Sequence, residues 1–261
     1  MEQKEEIGRL LARVDDLIAR AEHGEVAVSA FLSPREFHFA SRRIKESRAS
    51  FFAFGGYDDA ERKRVYILPD YMEGEASVTL LEDYEISAQV SALRVSGSGF
   101  SKLSHRDFLG SLLGLGLERS VIGDIIVTEE GKEAVVFCDT AISPFLLDAW
   151  IKAGNDKIRV ERISLPENFA PLRRFAQISD TVASPRIDAI VGALCSLSRD
   201  KSRELVEDEC VEVDYETTAR PDRTVIAPCL VTVRGFGKFR ILSVSEQTKK
   251  GRYRLFAEKY L

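Results

Sequence analysis

At 261 residues the chain has room for two or three compact domains, each able to bury a core of its own. With 44% apolar and 30% charged residues it has the composition of a soluble globular protein, and no stretch approaches the ~20 uninterrupted apolar residues that span a bilayer. The net charge of -5 weighs against a nucleic-acid partner only as an average: Val182 to Leu261 holds 14 Lys and Arg against 12 Asp and Glu, a net of +2, and the remainder carries -7, so the question is whether basic residues share a face.

The N-terminus, Met1-Glu2-Gln3-Lys4-Glu5-Glu6, lacks an apolar core behind a basic start, so it does not read as a secretory signal and a cytoplasmic location is expected. Ile7, Leu10, Leu11, Val14, Leu17, Ile18 and Ala21 recur at three-and-four spacing, which predicts an amphipathic helix from Glu2 to about Ala21, ending near Gly24. A second helix opens at Ser33-Pro34-Arg35-Glu36, where Ser33 caps, Pro34 suits the first position and Glu36 completes a capping box. The apolar runs Ser50 to Phe54 and Val65 to Leu68 predict a short hairpin. Together these make a small α+β unit over residues 1–75.

The middle of the chain is more regular. Ile86 to Val95 alternates like a strand, and Ser104 then caps an apolar helix through Leu113, ended by Gly114-Leu115-Gly116. Asp124 to Thr128 and Ala134 to Cys138 read as strands joined by Glu129-Glu130-Gly131-Lys132. Ser143-Pro144 opens a helix through about Ala153-Gly154, and Lys157 to Ser164 alternates again. The order β-α-β-β-α-β over residues 76–168 is the ferredoxin-like, RRM-like pattern. Pro166 and Pro171 mark an irregular linker before a last unit, residues 182–261. There Ser184 and Pro185 are expected to start a helix with Ile187, Ile190, Val191 and Leu194 on one face. A second helix begins at Ser198 and turns Leu205 and Val206 inward; short strands follow at Cys210 to Val213 and Leu230 to Val233, leading into Arg234-Gly235-Phe236-Gly237-Lys238-Phe239-Arg240-Ile241. The expected fold class is α+β throughout.

Cys138, Cys195, Cys210 and Cys229 stand far apart and read as reduced thiols, and His23, His38 and His105 form no helical pair, so neither a metal site nor a cofactor is expected. The cationic cluster is the informative feature. Arg199 and Arg203 are four residues apart and share a helix face, with Lys201 beside them and the free amides of the helix start adjacent, which makes a phosphate cradle; the plain alternative is a solvated charged face. Arginine suits the task because its planar fork gives two hydrogen bonds to one phosphate.

Ser184-Pro185-Arg186-Ile187-Asp188, Ser198-Arg199-Asp200-Lys201-Ser202, Val211-Glu212-Val213 and the later glycine hairpin resemble the S-four domain, the RNA-binding module named after small-subunit ribosomal protein four. The family pattern is basic-Leu-Asp, Ser-Arg-x-x-Ala, Gly-x-Val-x-Val-Asn-Gly and a Gly-Asp before the final strand. Here Ser202 replaces the alanine, Glu209-Cys210 stands where glycine is expected, Asp214-Tyr215 replaces Asn-Gly and Pro228-Cys229 replaces Gly-Asp. This likeness spans roughly residues 184 to 241. A sharper one covers nearly the whole chain: Phe31-Leu32-Ser33-Pro34-Arg35-Glu36, the run His105-Arg106-Asp107-Phe108-Leu109-Gly110-Ser111-Leu112-Leu113-Gly114-Leu115-Gly116-Leu117-Glu118-Arg119, Ile122-Gly123-Asp124-Ile125 and Val233-Arg234-Gly235-Phe236-Gly237-Lys238-Phe239 resemble the YlmH family of bacteria. That resemblance implies an N-terminal unit, a ferredoxin-like domain and an S-four domain. It also implies association with ribosomes, in particular large subunits carrying tRNA during rescue of stalled translation, and an older link to cell division.

His105-Arg106-Asp107 lacks the asparagine and the glycine-rich loop of a kinase, and Gly110, Gly114 and Gly116 end a helix where a dinucleotide loop would open one. The middle strand Lys132 to Cys138 carries only Phe137 as an aromatic, which argues against base stacking there. The expected function is therefore non-enzymatic docking of structured RNA, rRNA or tRNA on the large subunit, by a monomer away from membranes. The candidate RNA contacts are Arg186, Ser198, Arg199, Lys201, Ser202, Arg203, Arg234, Lys238 and Arg240, with a second patch at His105, Arg106 and Arg119. The alternatives are an RNA-modifying enzyme like the pseudouridine synthases, which also carry S-four domains, and a protein-interaction adaptor that docks through the apolar N-terminal helix.

Overall fold

The computed structural model describes residues 2–72, 89–128, 130–166, 169–171, 174–247 and 251–261. The chain folds as two compact units, Met1–Pro171 and Leu172–Leu261. The first unit opens with α1 (Glu2–Glu22), β1 (Ala27–Val28), α2 (Pro34–Ser47), β2 (Phe51–Phe54) and β3 (Arg64–Ile67), the strands forming an antiparallel sheet in the order β1-β3-β2. The capping box at Ser33 forms as expected: the Glu36 amide donates to the Ser33 hydroxyl, and the Glu36 carboxylate accepts from the Ser33 amide at 2.7 Å. The apolar stripe of α1 is core, with Leu10, Val14, Ile18 and Ala21 all buried against Ala40, Ile44 and Val65. Burial of that stripe removes the surface on which a docking helix would depend.

The rest of this unit holds β4 (Val90–Gly97), α3 (His105–Gly114), β5 (Ile122–Val127), β6 (Glu133–Asp139), α4 (Ser143–Ala149), β7 (Lys152–Ala153) and β8 (Asp156–Ile163). Part of the expected first strand, residues 86–88, lies outside the described residues. All pairings are antiparallel and the sheet order is β5-β6-β4-β8-β7, which is the ferredoxin-like arrangement with one added edge strand. The α4 helix is shorter than its sequence expectation because Trp150 leaves helical geometry and is held in the core, where its indole N–H donates to Ser111 Oγ at 2.9 Å. The chain is then free to turn back as β7.

Two buried arginines tie the small sheet to the larger one. Arg62 donates to the carbonyls of Ile122, Phe31 and Arg119 at 2.9, 3.1 and 2.8 Å, and burial pulls its pKa down to about 10. Asp124 accepts from the Tyr57 hydroxyl at 2.7 Å and from the amides of Glu61 and Arg62 at 2.7 and 3.0 Å. Arg64 pairs with Asp139 at 2.9 Å and donates to the carbonyls of Ser29 and Gln89. Phe137 is wholly buried between Tyr57 and Phe169, so it has no ring face to offer a base.

The second unit contains β9 (Phe175–Val182), α5 (Ile187–Cys195), α6 (Arg199–Glu207), β10 (Val211–Val213), β11 (Glu216–Thr217), β12 (Cys229–Val233), β13 (Gly237–Gln247) and β14 (Tyr253–Tyr260), in one sheet ordered β11-β10-β12-β13-β14-β9. Two sequence expectations fail here. The stretch read as linker contains β9, which is too polar on its own to declare itself and pairs with β14 along its whole length, from Phe175 opposite Tyr260 to Val182 opposite Tyr253. The α5 helix begins at Ile187 and not at Ser184-Pro185, because Arg186 is held extended in a bridge to Thr224, with the Val225 amide donating to the Pro185 carbonyl at 2.8 Å.

The turns keep their conformation without the expected glycines. Glu209 has φ 55°, and the two-residue loop Asp214-Tyr215 between β10 and β11 has φ 49° and 66°, the positive pair that a primed hairpin turn requires. Asp214 offsets the cost by accepting the Leu230 amide at 2.8 Å. The four cysteines are free, with Cys138 and Cys229 buried; burial pushes the thiol pKa to about 12 for Cys138 and about 11 for Cys195 and Cys229, so all three stay protonated at neutral pH. Among the described residues no cluster of metal-ligating side chains occurs and no helix is long and apolar enough to cross a membrane.

Replacing Arg62 by Leu removes the guanidinium's hydrogen bonds to the Ile122, Phe31 and Arg119 carbonyls and one of the cations near Asp124. The expected cost is about 3 kcal/mol. Urea unfolding followed by the fluorescence of Trp150, the single tryptophan and a residue of the first unit, measures it directly.

Candidate nucleic-acid interface

The helix pair α5–α6 is organised by a buried carboxylate. Asp188, 1% exposed, accepts from Arg186 Nε at 3.1 Å and Nη2 at 2.9 Å and from the Ala189 amide at 2.8 Å. Arg186 is thus paired with Asp188 while its side chain remains partly exposed. Close approach of the two helices is set by Gly192, where an added Cβ would lie 3.3 Å from the Leu197 carbonyl oxygen and 3.4 Å from Ser202 Oγ. Ser202 is wholly buried at this crossing and its hydroxyl donates to the Arg199 carbonyl at 3.0 Å. It cannot touch a ligand; a small side chain is needed there, which explains why serine can stand in place of alanine.

On the outer side of α6 the picture matches the spacing argument. Ser198 caps the helix, accepting from the Lys201 amide at 3.4 Å, so its hydroxyl is already engaged. Arg199, Lys201 and Arg203 are exposed, and among the described residues no carboxylate pairs with Arg199 or Lys201. Arg203 donates to Glu207 at 2.7 Å, a pair whose side chains are 63% and 47% exposed, so the guanidinium remains at the surface. Arg199 also lines a cleft of about 390 Å³ together with Thr181, Ser184, Asp188, Gly192 and Arg252. Arg252 was not legible as a partner of Arg199: 53 residues separate them, and β9, to which Arg252 is anchored through Thr181, was not recognised as a strand.

The remaining candidates do not join this face. Phe239 and Ile241 of β13 are buried with α5, so the alternate residues Lys238 and Arg240 lie on the opposite side of the sheet from the helices. Arg234 is exposed at the β12–β13 turn. In the first unit His105 and Arg106 are exposed at the start of α3, whose cap is completed by Asp107, with the Ser104 amide donating to its carboxylate at 2.8 Å. Arg119 has its carbonyl fixed by Arg62, and its Nη1 is buried without a hydrogen-bond partner. Desolvation, and then the charge of Arg119, hold the His105 imidazole below its ordinary pKa.

His105 should therefore titrate below ~6.5, the usual value for the side chain. Since the folded ring holds its proton less tightly than the unfolded one, the fold gains stability as pH rises towards ~6.5 and the gain is complete above it. Nuclear magnetic resonance titration of the ring tests this, and Arg119→Gln should move the midpoint upward.

The comparisons with known proteins agree with this architecture. Residues 81–167 match the family model described as putative RNA-binding domain in YlmH. The ribosome-associated protein quality control protein P2 of Bacillus subtilis (strain 168) is 32% identical over 238 residues, covering 91% of this chain and 89% of that protein. The solved structure of cell division protein ylmH from Streptococcus pneumoniae is similar in fold, with a TM-score of 0.52 at 20% identity over 63% of this chain and 95% of that one. An identity of this level over nine-tenths of both sequences, joined to the match across the ferredoxin-like sheet, shows that the chain belongs to the YlmH family.

Proposed function

We propose that this protein is a non-enzymatic RNA-binding factor of the translation apparatus, in which the second unit, residues 182–261 together with β9, is an S-four-like domain that docks structured RNA on the exposed face of α6. The observation that carries the reading is the pair Arg199 and Lys201, unpaired by carboxylates and set beside the open first-turn amides of α6. A phosphate there meets two cations and backbone donors without any prior ion pair to break. Arg203 joins when its exposed contact with Glu207 opens, an exchange of one surface anion for another. Arg252 across the cleft supplies a second point of contact, which suits the bent backbone of a folded RNA better than an extended strand.

The similarity to a protein named for ribosome-associated quality control, and the family model named for RNA binding, support a ribosomal RNA partner for this chain. In this reading the target is rRNA of the large subunit, tRNA held on it, or both, in the cytoplasm, and the first unit contributes a second contact through Arg106, His105 and Arg119. Recognition works through phosphate and shape, because the aromatic that the middle sheet could have offered to a base, Phe137, is buried. Docking rather than catalysis fits the chemistry of the helix face, which presents cations and amides but no perturbed acid, base or nucleophile.

The test is a salt titration of binding to large ribosomal subunits. Each lost phosphate contact should reduce the slope of log affinity against log salt by roughly 0.7 to 0.9. Arg199→Glu combined with Arg203→Glu is expected to weaken binding and flatten the slope by roughly two contacts' worth; unchanged binding would remove α6 from the interface.

A further inference from the structure

The side of the second unit's sheet that faces away from α5 and α6 is aromatic and cationic. An antiparallel sheet with one buried face ordinarily carries small polar and charged residues on the other. Here the outward positions of β14 include Phe256, 41% exposed, and Tyr260, which alternate with the buried Leu255 and Ala257. Tyr260 pairs with Phe175 of β9, ring centroids 5.0 Å apart and edge to face. Lys238 Nζ lies 5.2 Å from the centroid of Tyr260 and 5.5 Å from that of Tyr215, and the Arg240 guanidinium lies 5.0 Å from that of Phe175. Leu242 adds a further exposed apolar side chain beyond Arg240.

The charges on this face are arranged to leave a positive surplus. Leu230, Arg240, Glu258 and Gln177 form one cross-strand row. Within it Glu258 is satisfied by Gln177 at 2.8 Å and by Arg240. Lys238 and the exposed Arg254 remain against Glu212 at the far edge. A protein partner would call for a continuous apolar patch, whereas rings interleaved with cations match a ligand having both flat π faces and anions.

We propose that this outward face is a stacking platform for unpaired RNA, in which bases lie on the rings of Phe256 and Tyr260 while Lys238 turns from the Tyr260 ring to a phosphate and Arg240, kept over Phe175 by its bond to Glu258, stays in place. In the free protein Lys238 sits over the Tyr260 ring and Arg240 over that of Phe175, favourable but weak contacts. A base displaces the cation from the ring and brings its own phosphate for that cation to meet, so neither group is left unsatisfied. The face selects single strands because a duplex hides the base faces that the rings need. Phe256 and Tyr260 stand two outward positions apart on β14, roughly 13 Å along the strand, a span that successive splayed bases can bridge. This platform lies on the side of the sheet opposite the α6 cluster, so the two can be tested separately.

The test uses the full chain and two fluorescein-labelled RNAs of similar length, an unstructured oligouridylate and a stable hairpin, with binding followed by anisotropy. Phe256→Ala and Tyr260→Ala are each expected to lower affinity for the single strand roughly tenfold, and to leave the hairpin within about twofold. Lys238→Gln should reduce the salt slope for the single strand by about 0.7. Tyr260→Leu, which keeps bulk without the aromatic face, should lose single-strand affinity while retaining the parent's melting temperature. A photoreactive thiouridine strand should cross-link to the β13–β14 peptides. Unchanged single-strand affinity in both aromatic variants, equal losses for strand and hairpin, or cross-links confined to residues 199–207 would overturn the proposal.

Discussion

A carboxylate with almost no exposure needs donors at close range, and Asp188 is the residue on which the candidate interface depends for that reason. Its two oxygens take Arg186 in a forked contact and the amide of Ala189. The pair braces the first turn of α5, and the close crossing at Gly192 and Ser202 then fixes where α6 lies. Arg199, Lys201 and Arg203 reach solvent on one side because Ser202 and Val206 are anchored on the other. The basic face thus stands beside an ion pair whose carboxylate is buried and whose guanidinium is partly exposed.

The same alternation that builds the sheet of the second unit divides its chemistry. Odd positions 239 and 241 of β13 close the core under α5, and even positions 238 and 240 face outward among aromatic rings. One surface therefore presents cations beside a helix start, and the other presents aromatic rings among cations. The first unit follows a different plan. Its sheet is occupied on both faces, by α3, α4 and Trp150 on one and by Tyr57, Phe169 and Leu165 on the other. Whatever it contributes comes from edges and helix starts, where Arg106 and His105 stand.

Arg62 and Arg64 show how the small N-terminal sheet becomes part of that first unit. Carbonyls at strand ends and turns need donors, and a guanidinium can serve three at once while a single carboxylate, Asp124, gathers a hydroxyl and two amides. The cost of burying Arg62 appears in its lowered pKa, which burial causes first and the neighbouring charge of Arg119 second.

Periodicity and capping residues determined a good deal by themselves: the extent of α1 and α3, the capping box at Ser33, the cap at Ser104, the β5–β6 hairpin, and the cationic side of α6, since each of these rests on residues close together in the chain. What the sequence left undecided is what depends on distant partners. β9 is a strand only because β14 lies beside it, α5 starts late only because Thr224 holds Arg186 extended, and Trp150 ends α4 only because Ser111 waits for its indole N–H. The tertiary structure alone decided that Arg186 pairs with Asp188 and Ser202 is buried at the helix crossing, that Arg252 and Arg199 line one cleft, and that Lys238 and Arg240 face away from the helices. Local rules specify which side of an element is apolar, and only packing determines what that side meets.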